Sequence, residues 1–473
     1  MLVSGAFNVL HPGHLRLFRF ARDCGERLIV AVQSDRIAGD GAHVLENLRL
    51  ESVLSISWVD EAFIYDEPLQ ELISRIRPDV IVKGKEHEFH SNVESIVLHQ
   101  YGGNLLFSSG ETTFSSADLI QKEFRTPDTR SIQLPTDYLE RHTIESTRLR
   151  ILLEQFKKLR VCVVGDLIID EYITCEPLGM SQEDTTIVVT PIDSTRFLGG
   201  AGIVAAHAAG LGALVNLISV SGNDAAREFA LGKLLAAGVD ANLVLDGNRP
   251  TTLKQRFRSK GKSLLRVSYL HQGAISSQLQ QTLFDAVERV INNVDLVVFS
   301  DFNYGCLPQL LVDQLVDLAR KRNVLLVADS QSSSQLGDIS RFKAMDLITP
   351  TEREARISTR NREDGLVVLA EKLRVQASAR NVLLKLGEEG LLIHAAGRAG
   401  ERQWLTDRIN ALNSAAKDVS GAGDSLLIAS AMALACDATI WEAAYLGSLA
   451  AAVQVGRVGN TPLRTEELLR EIG

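Results

Sequence analysis

Two α/β domains in tandem, each a parallel sheet wound between helices, are the architecture this sequence predicts. Three observations lead there. Short apolar runs rich in Val, Ile and Leu end in small or polar residues at 27–35, 78–84, 160–166, 294–301, 324–329 and 382–387, as strands covered on both faces do. Stretches of helical length and pattern separate these runs, and strand–helix alternation implies a doubly wound sheet. Finally, two glycine-bearing turns lead straight into helical segments, at residues 5–14 and 418–425.

Composition narrows the function classes. The 473 residues allow two or more domains with their own cores. A hydrophobic content of 45% with 23% charged residues is ordinary for globular chains. The net charge of −9 offers no basic footprint for nucleic acid, so an anionic substrate must find its cations locally. Cys24, Cys162, Cys175, Cys306 and Cys436 are scattered with no CxxC pair. That argues against a zinc site or disulfide framework and fits a reducing, cytoplasmic setting. Met1 runs directly into a strand-like segment, so no signal peptide is expected, and no apolar run is long and uniform enough to span a bilayer.

The strongest chemical signal is Asp418-Val419-Ser420-Gly421-Ala422-Gly423-Asp424-Ser425, followed by an alanine-rich apolar run over 426–435. Small residues leave the amides of a helix start bare, and the helix dipole adds to their pull on an anion. An aspartate there takes a proton from an attacking hydroxyl while the amides of Gly421, Ala422 and Gly423 hold the phosphoryl charge. The octet resembles the C-terminal signature of the ribokinase-like (PfkB) carbohydrate kinases, in which the last aspartate, here Asp424, is the catalytic base.

Other stretches fall in that family's order. Gly165-Asp166, with residues 167–172 read as continuing its strand, resembles the first kinase strand, and the resemblance assigns Asp166 and Asp170 to sugar hydroxyls. Gly199-Gly200 resembles the di-glycine motif whose amides approach the sugar, although Ile203 stands where the family commonly has asparagine. Residues 185–192 and 251–269 alternate as strands do, and in the family such segments form a small β lid that often makes a dimer contact. Lys254 and Arg256, with Arg258, Lys260, Lys262 and Arg266, form the most basic stretch of an acidic chain. They read as a clamp on a phosphorylated sugar, with a solvated strand face as the alternative for the outer residues. Asp301 precedes a step that resembles the heptose kinases and implies a polar sugar contact. Thr351-Glu352-Arg353-Glu354 resembles the Asn-x-x-Glu motif that organises water around Mg²⁺, with Glu354 matching and Thr351 replacing asparagine. Lys385, Gly387 and Gly390 fit the nucleotide-side strand and turn, and residues 447–459 would pack near adenine.

Near the other end, Gly5-Ala6-Phe7-Asn8 leads through His11-Pro12-Gly13-His14 into a helical pattern. Two imidazoles on one turn at a helix start can donate to phosphates as charge develops, and Gly13 lets them approach. This stretch resembles the cytidylyltransferase-like nucleotidyltransferases. The resemblance implies nucleotide contacts at Gly5, Phe7, Asn8, Gly13, Ser115 and Ser116, and catalytic roles for His11, His14 and Lys83, the last at a strand end. Two departures are plain: Asn8 stands where the family usually has aspartate, and Arg36 lies where a lysine-bearing loop is usual. Arg49 matches the arginine of the following helix.

Together the halves resemble the two-domain enzymes of nucleotide-activated heptose synthesis, which join heptose-7-phosphate kinase to heptose-1-phosphate adenylyltransferase, with the domain order reversed here. The implied organisation is a Rossmann-like nucleotidyltransferase domain over 1–125, a linker or helical arm over 126–150, and a ribokinase-like doubly wound α/β domain with a small β lid over 151–473. The implied chemistry uses ATP, a sugar phosphate and Mg²⁺, in a homodimer that binds neither nucleic acid nor membrane. Two alternatives stand: the first domain uses CTP with another phosphate acceptor, or it is a degenerate nucleotide-binding module that regulates or assembles.

Overall fold

A computed structural model describes residues 1–8, 10, 12–39, 44–84, 93–108, 132–260, 262–331, 337–397, 405–413 and 415–472. It divides into two units. The first comprises Met1–Thr129, Thr359–Lys372 and His394–Arg408; the second comprises Arg130–Ser358, Leu373–Ile393 and Ile409–Gly473.

In the first unit, β1 (Leu2–Gly5), β2 (Ile29–Gln33), β3 (Glu61–Tyr65), β4 (Val80–Gly84) and β5 (Asn104–Ser108) stand in the order β3-β2-β1-β4-β5, each neighbouring pair parallel. Leu2, Ala31 and Ile81 from the central strands pack with Leu72 and Ile73 of the helix Leu69–Ile76. Strand order reverses between β1 and β4, so the crevice outside their carboxyl ends is where a ligand fits. The turn after β1 and the helix Pro12–Asp23 open at that edge.

The chain then supplies β6 (Arg160–Gly165), β7 (Leu167–Met180), β8 (Ile187–Gly200), β9 (Leu214–Ser221), β10 (Val239–Leu245), β11 (Thr252–Ser259), β12 (Lys262–Tyr269), β13 (Leu296–Asp301), β14 (Leu325–Ser330), β15 (Leu347–Ile348), β16 (Asn381–Lys385), β17 (Leu391–Ala395) and β18 (Leu405–Ile409). Nine form a sheet ordered β10-β9-β6-β13-β14-β15-β16-β17-β18, parallel from β10 through β16. The other four form a smaller sheet ordered β12-β11-β7-β8.

Residues 167–172 do not continue the strand of 160–166; the chain changes sheets at Asp166. A Cβ on Gly165 would lie 1.9 Å from the Ser300 carbonyl oxygen, so only glycine lets β6 close on β13 there. The Asp166 amide then donates to Ser300 O at 3.0 Å, and Leu167 begins an antiparallel pairing with Gly200. Apolar periodicity shows a strand but not the sheet in which it lies.

The segment 136–155 forms the helices Thr136–Arg141 and Ser146–Gln155, parted by Thr143 at φ 53°. Their apolar residues Tyr138, Ile144, Leu149, Leu152, Leu153 and Phe156 belong to the second unit's main core. The Tyr138 hydroxyl donates to Trp441 O at 2.9 Å. Among the described residues, no helix is long and apolar enough to cross a membrane. Phe156 is fully buried, so Phe156→Ala is expected to lower the second unit's unfolding free energy by about 3–5 kcal/mol. Urea denaturation followed by far-UV circular dichroism checks this.

Candidate functional site

Strand ends and one helix start converge on a cavity of about 590 Å³ in the second unit. The helix Ala422–Ala435 begins after Gly421, whose φ of 75° is left-handed backbone that glycine adopts freely. Gly421, Ala422, Gly423 and Asp424 all line the cavity. A Cβ on Gly423 would sit 3.2 Å from Lys385 Nζ, so glycine lets that ammonium come up to the helix start. Lys385 ends β16, and its Nζ lies 3.0 Å from both carboxylate oxygens of Asp329, near the end of β14. Asp329 escaped the sequence reading. Its only signal was a polar residue ending a buried apolar strand.

Asp424 is 6% exposed. Burial, then the negative charge of Asp329, push its carboxyl up to about 7, against the pull of Lys385 and Lys254. Burial opposes the charge on Lys385, but Asp329 and Glu354 outweigh it and hold the ammonium above its ordinary value. The result is a cation and a basic carboxylate together at a helix start, the pairing that phosphoryl transfer needs; the Ala422 amide there donates to Val419 O at 3.4 Å.

The small sheet supplies the opposite wall. Lys254, Arg256 and Arg266 face the cavity from β11 and β12, with Asp170 from β7. Lys254 Nζ lies 4.9 Å from the Phe302 ring centre and 5.0 Å from that of Tyr304. Arg256 stacks over Tyr172 at 5.2 Å, donates to Ser420 Oγ at 2.8 Å, and pairs with Asp170 at 3.6 Å. Asn460 Nδ2 donates to Asp170 Oδ2 at 3.3 Å. Gly199 and Gly200 end β8; a Cβ on Gly199 would lie 2.5 Å from Asp170 Oδ2, and Gly200 holds φ 53° with its would-be Cβ 2.3 Å from Asp166 O.

Two residues assigned to the sugar have other work. The Asp166 carboxylate accepts the amides of Phe302 at 2.8 Å, Tyr304 at 3.2 Å and Cys306 at 3.2 Å, which shapes the loop after β13. Burial, then Asp301, push it up to about 6 against those amides. Asp301 accepts from Ser330 Oγ at 2.7 Å and pairs with Arg341 at 3.0 Å. Neither is among the residues lining the cavity, where Asp170 is the carboxylate that the small sheet presents. A polar residue at a strand end points either into the crevice or back under the next loop, and its neighbours in space decide which.

A second cavity of about 150 Å³ adjoins, lined by Lys385, Gly387, Gly390, Leu412, Ser448 and Ala452 among others. A Cβ on Gly390, at φ 94°, would meet Ile409 O at 2.1 Å, so this turn also requires glycine. Ser448 and Ala452 lie in the helix Ile440–Val455, within the stretch expected near adenine.

Glu354 starts the helix Glu352–Thr359, lines the larger cavity, and accepts the Thr351 amide at 2.8 Å. Among the described residues no three His, Cys, Asp or Glu side chains gather to hold a metal ion. This donor set fits Mg²⁺ arriving on a nucleotide's phosphates and reached from Glu354 through water.

In the first unit, His11, Ser115 and Ser116 lie outside the described residues. His14 and Gly13 occupy the first turn of Pro12–Asp23 at the carboxyl edge of the sheet, with Gly5 ending β1 and Lys83 near the end of β4. Phe7, read as a nucleotide contact, is instead buried. At φ 51° its ring packs on Phe18 at 5.2 Å and edge-on to His14 at 5.3 Å, and so props the histidine. Asn8 Oδ1 accepts from the Val44 amide at 3.4 Å, and Lys83 pairs with Glu94 at 2.8 Å. Arg36, the stand-in for the family's lysine, is held by Asp66 at 2.9 and 3.0 Å. Arg49 is fully buried, donating to Val44 O at 2.7 Å, Ala6 O at 2.5 Å and Asp35 Oδ1 at 2.6 Å. It fastens the turn after β1 to the polar end of β2.

A buried aspartate at a glycine-cradled helix start, facing a basic sheet across a cavity, defines the second unit as a sugar-kinase type of fold. Residues 158–466 match the pfkB family of carbohydrate kinases, and the chain belongs to that family. Residues 2–150 match the description "Cytidylyltransferase-like", so that match precedes the kinase match. Among curated proteins, "Bifunctional protein HldE" of Desulfatibacillum aliphaticivorans is 32% identical over 321 residues, 67% of this chain and 64% of that protein. The protein of that name from Helicobacter hepaticus is 31% identical over 325 residues, with the same coverage of 67% and 64%. The chain therefore spans about 64% of the length of these curated relatives. Among solved structures, Escherichia coli phosphofructokinase-2 in complex with potassium superposes with TM-score 0.54 at 17% identity, covering 66% of this chain and 98% of that one. Arabidopsis thaliana ribokinase complexed with ribose and ATP gives TM-score 0.52 at 18% identity, covering 66% and 98%. At such identities the likeness is one of fold.

Because Arg49 has no exposed surface and donates to three part-buried acceptors, Arg49→Ala removes those bonds and leaves a void beneath the turn after β1. It is expected to cost the first unit about 1–3 kcal/mol. Differential scanning calorimetry of the variant reads the loss.

Proposed function

We propose that the chain is a two-step sugar-activating enzyme. The second unit moves the γ-phosphoryl of ATP to the anomeric hydroxyl of a sugar phosphate of the heptose 7-phosphate kind. The first unit then joins the sugar 1-phosphate to a nucleotide, giving a product of the ADP-heptose kind and releasing pyrophosphate. The observation that carries this reading is Asp424 at the amide-rich start of Ala422–Ala435, across one cavity from Lys254, Arg256 and Arg266.

In the kinase step the acceptor hydroxyl lies against Asp424, which takes its proton as the oxygen attacks the γ-phosphorus. The amides of Gly421, Ala422 and Gly423 and the Lys385 ammonium meet the charge that develops on the phosphoryl oxygens. Lys254, Arg256 and Arg266 bind the phosphate already on the sugar, and Asp170 accepts from its hydroxyls. Gly387 and Gly390 leave room for the nucleotide beside the smaller cavity. Glu354 would face a Mg²⁺ ion carried on the phosphates, which would supply charge neutralisation when bound.

In the nucleotidyl step the sugar 1-phosphate is already an anion, so no base is needed. His11, His14 and Lys83 stabilise the charge at the α-phosphorus, with Gly5, Gly13, Asn8, Ser115 and Ser116 around the nucleotide. The two activities divide at residues 126–150. A second reading for the first unit, nucleotide binding without turnover, is favoured by the carboxylate partners of Arg36 and Lys83. Leu178, Met180, Ile187, Ile192 and Leu265 are exposed on the small sheet, which supports a homodimer joined there. The reading places the enzyme in the cytoplasm.

Given heptose 7-phosphate, ATP, CTP and Mg²⁺, the purified chain is expected to release ADP and then pyrophosphate. Asp424→Ala should lower ADP release on the order of 10²–10⁴-fold and spare pyrophosphate release from added sugar 1-phosphate, while His14→Ala should do the reverse. Loss of both activities in either folded variant would contradict separate sites. The pH dependence has a definite sign. Burial and Asp329 favour the protonated Asp424, and the base must be ionised. The kinase rate should therefore rise with pH and level off above about 7. A rate that falls as pH rises through this range would rule Asp424 out as the base.

A further inference from the structure

Gln331 follows β14 directly, and nothing in the signature stretches points to it. Its backbone is fastened on both sides: its amide donates to Asp301 O at 2.8 Å, and its carbonyl accepts Asn303 Nδ2 at 3.2 Å. The side chain turns into the larger cavity. Its Nε2 lies 3.2 Å from Asp424 Oδ1 and 3.4 Å from Asp329 Oδ2. Both contacts are carboxyl oxygens, which accept when ionised, so the network assigns the amide nitrogen to the acids and its oxygen away.

We propose that Gln331 is a positioning residue for Asp424, its amide holding one carboxylate oxygen so that the other faces the acceptor hydroxyl. This rests on the kinase reading above and goes beyond it. A carboxylate at a helix start can rotate about its last torsion, and a proton is passed on only when one oxygen lies along the hydroxyl's donor direction. Gln331 removes that freedom by holding Oδ1. It also donates to the ionised form while adding no charge of its own, which a lysine in its place would do. The charged groups facing Asp424 are Asp329 from β14, Lys385 from β16, Asp170 from β7 and Lys254 from β11. Glu354 acts on Lys385 from the next helix along. An amide is the one group that bridges two of these acids without disturbing the balance among the rest.

The test uses the full chain. With heptose 7-phosphate as acceptor, Gln331→Leu should lower kcat for ADP release on the order of 10- to 10²-fold, with KM for ATP unchanged. Gln331→Glu adds a third acid beside Asp329 and Asp424, and should move the acid limb of the kcat profile upward on the order of one pH unit. A residue that served only structure would lower Tm and leave that limb in place. Unchanged kcat and an unchanged limb in both folded variants would overturn the assignment. If the unmodified chain releases no ADP from heptose 7-phosphate, the substrate reading fails separately. The titration of Asp424 is then read with no acceptor, as the pH dependence of the Tm difference between the unmodified chain and Asp424→Asn. The same dependence in a Gln331→Glu background would sink the proposal; a displaced one supports it.

Discussion

A carboxylate taken out of water stays ionised only if a cation or good donors stand beside it. The second unit buries Asp329, Glu354 and Asp424, and the Lys385 ammonium lies among them. Its contacts of 3.0 Å to both oxygens of Asp329 span the two-residue strand β15, which lies between their strands in the sheet. The parallel order puts both strand ends at one edge, and the start of Ala422–Ala435 is brought to the same place. Gly423 completes the arrangement, since any side chain there would crowd the ammonium. Phosphoryl chemistry needs a cation and a base within one small volume, and this sheet edge holds both.

The small sheet is tied to the same point by a second set of contacts. The Tyr172 hydroxyl lies 2.9 Å from Asp418 Oδ2 and 3.0 Å from Ser420 Oγ, and Arg256 and Arg258 stack over its ring at 5.2 and 4.9 Å. Asp418 in turn accepts the Gly459 amide at 3.1 Å. The strands that carry the cationic wall are therefore linked through hydrogen bonds to the loop that leads into the helix Ala422–Ala435.

The first unit solves a similar problem with fewer free charges. Gly5, Gly13, His14 and Lys83 stand at the carboxyl edge of a five-stranded sheet, where strand order reverses. Arg49 and Phe7 act as internal fasteners there, one by hydrogen bonds to two carbonyls and a carboxylate, the other by ring packing beneath His14. Asn8, which removes a charge relative to the aspartate usual in such domains, accepts the Val44 amide.

Local features of the chain were enough to determine the two-part α/β class, the glycine-cradled start at Gly421 with Asp424 behind it, and the His14 turn, because each is written in contiguous residues with a fixed spacing. The basic character of Lys254 and Arg256 was equally plain. What those charges meet was decided by tertiary structure. Asp166 and Asp170 look alike in sequence, yet one caps the loop after β13 and the other faces the cavity, because the chain leaves one sheet at Asp166, just after a glycine that lies against Ser300, and Asp170 stands in the other. Asp329 and Gln331 carry no signature and become partners of Asp424 only when β14, β16 and a distant helix meet at one edge. Phe7 was assigned to the nucleotide by motif and is claimed by packing, and Arg49, matched to an arginine of the family's next helix, is buried as well. Spacing along a chain determines how neighbours in sequence stand; the balance of charge at a site belongs to groups that are neighbours only in space.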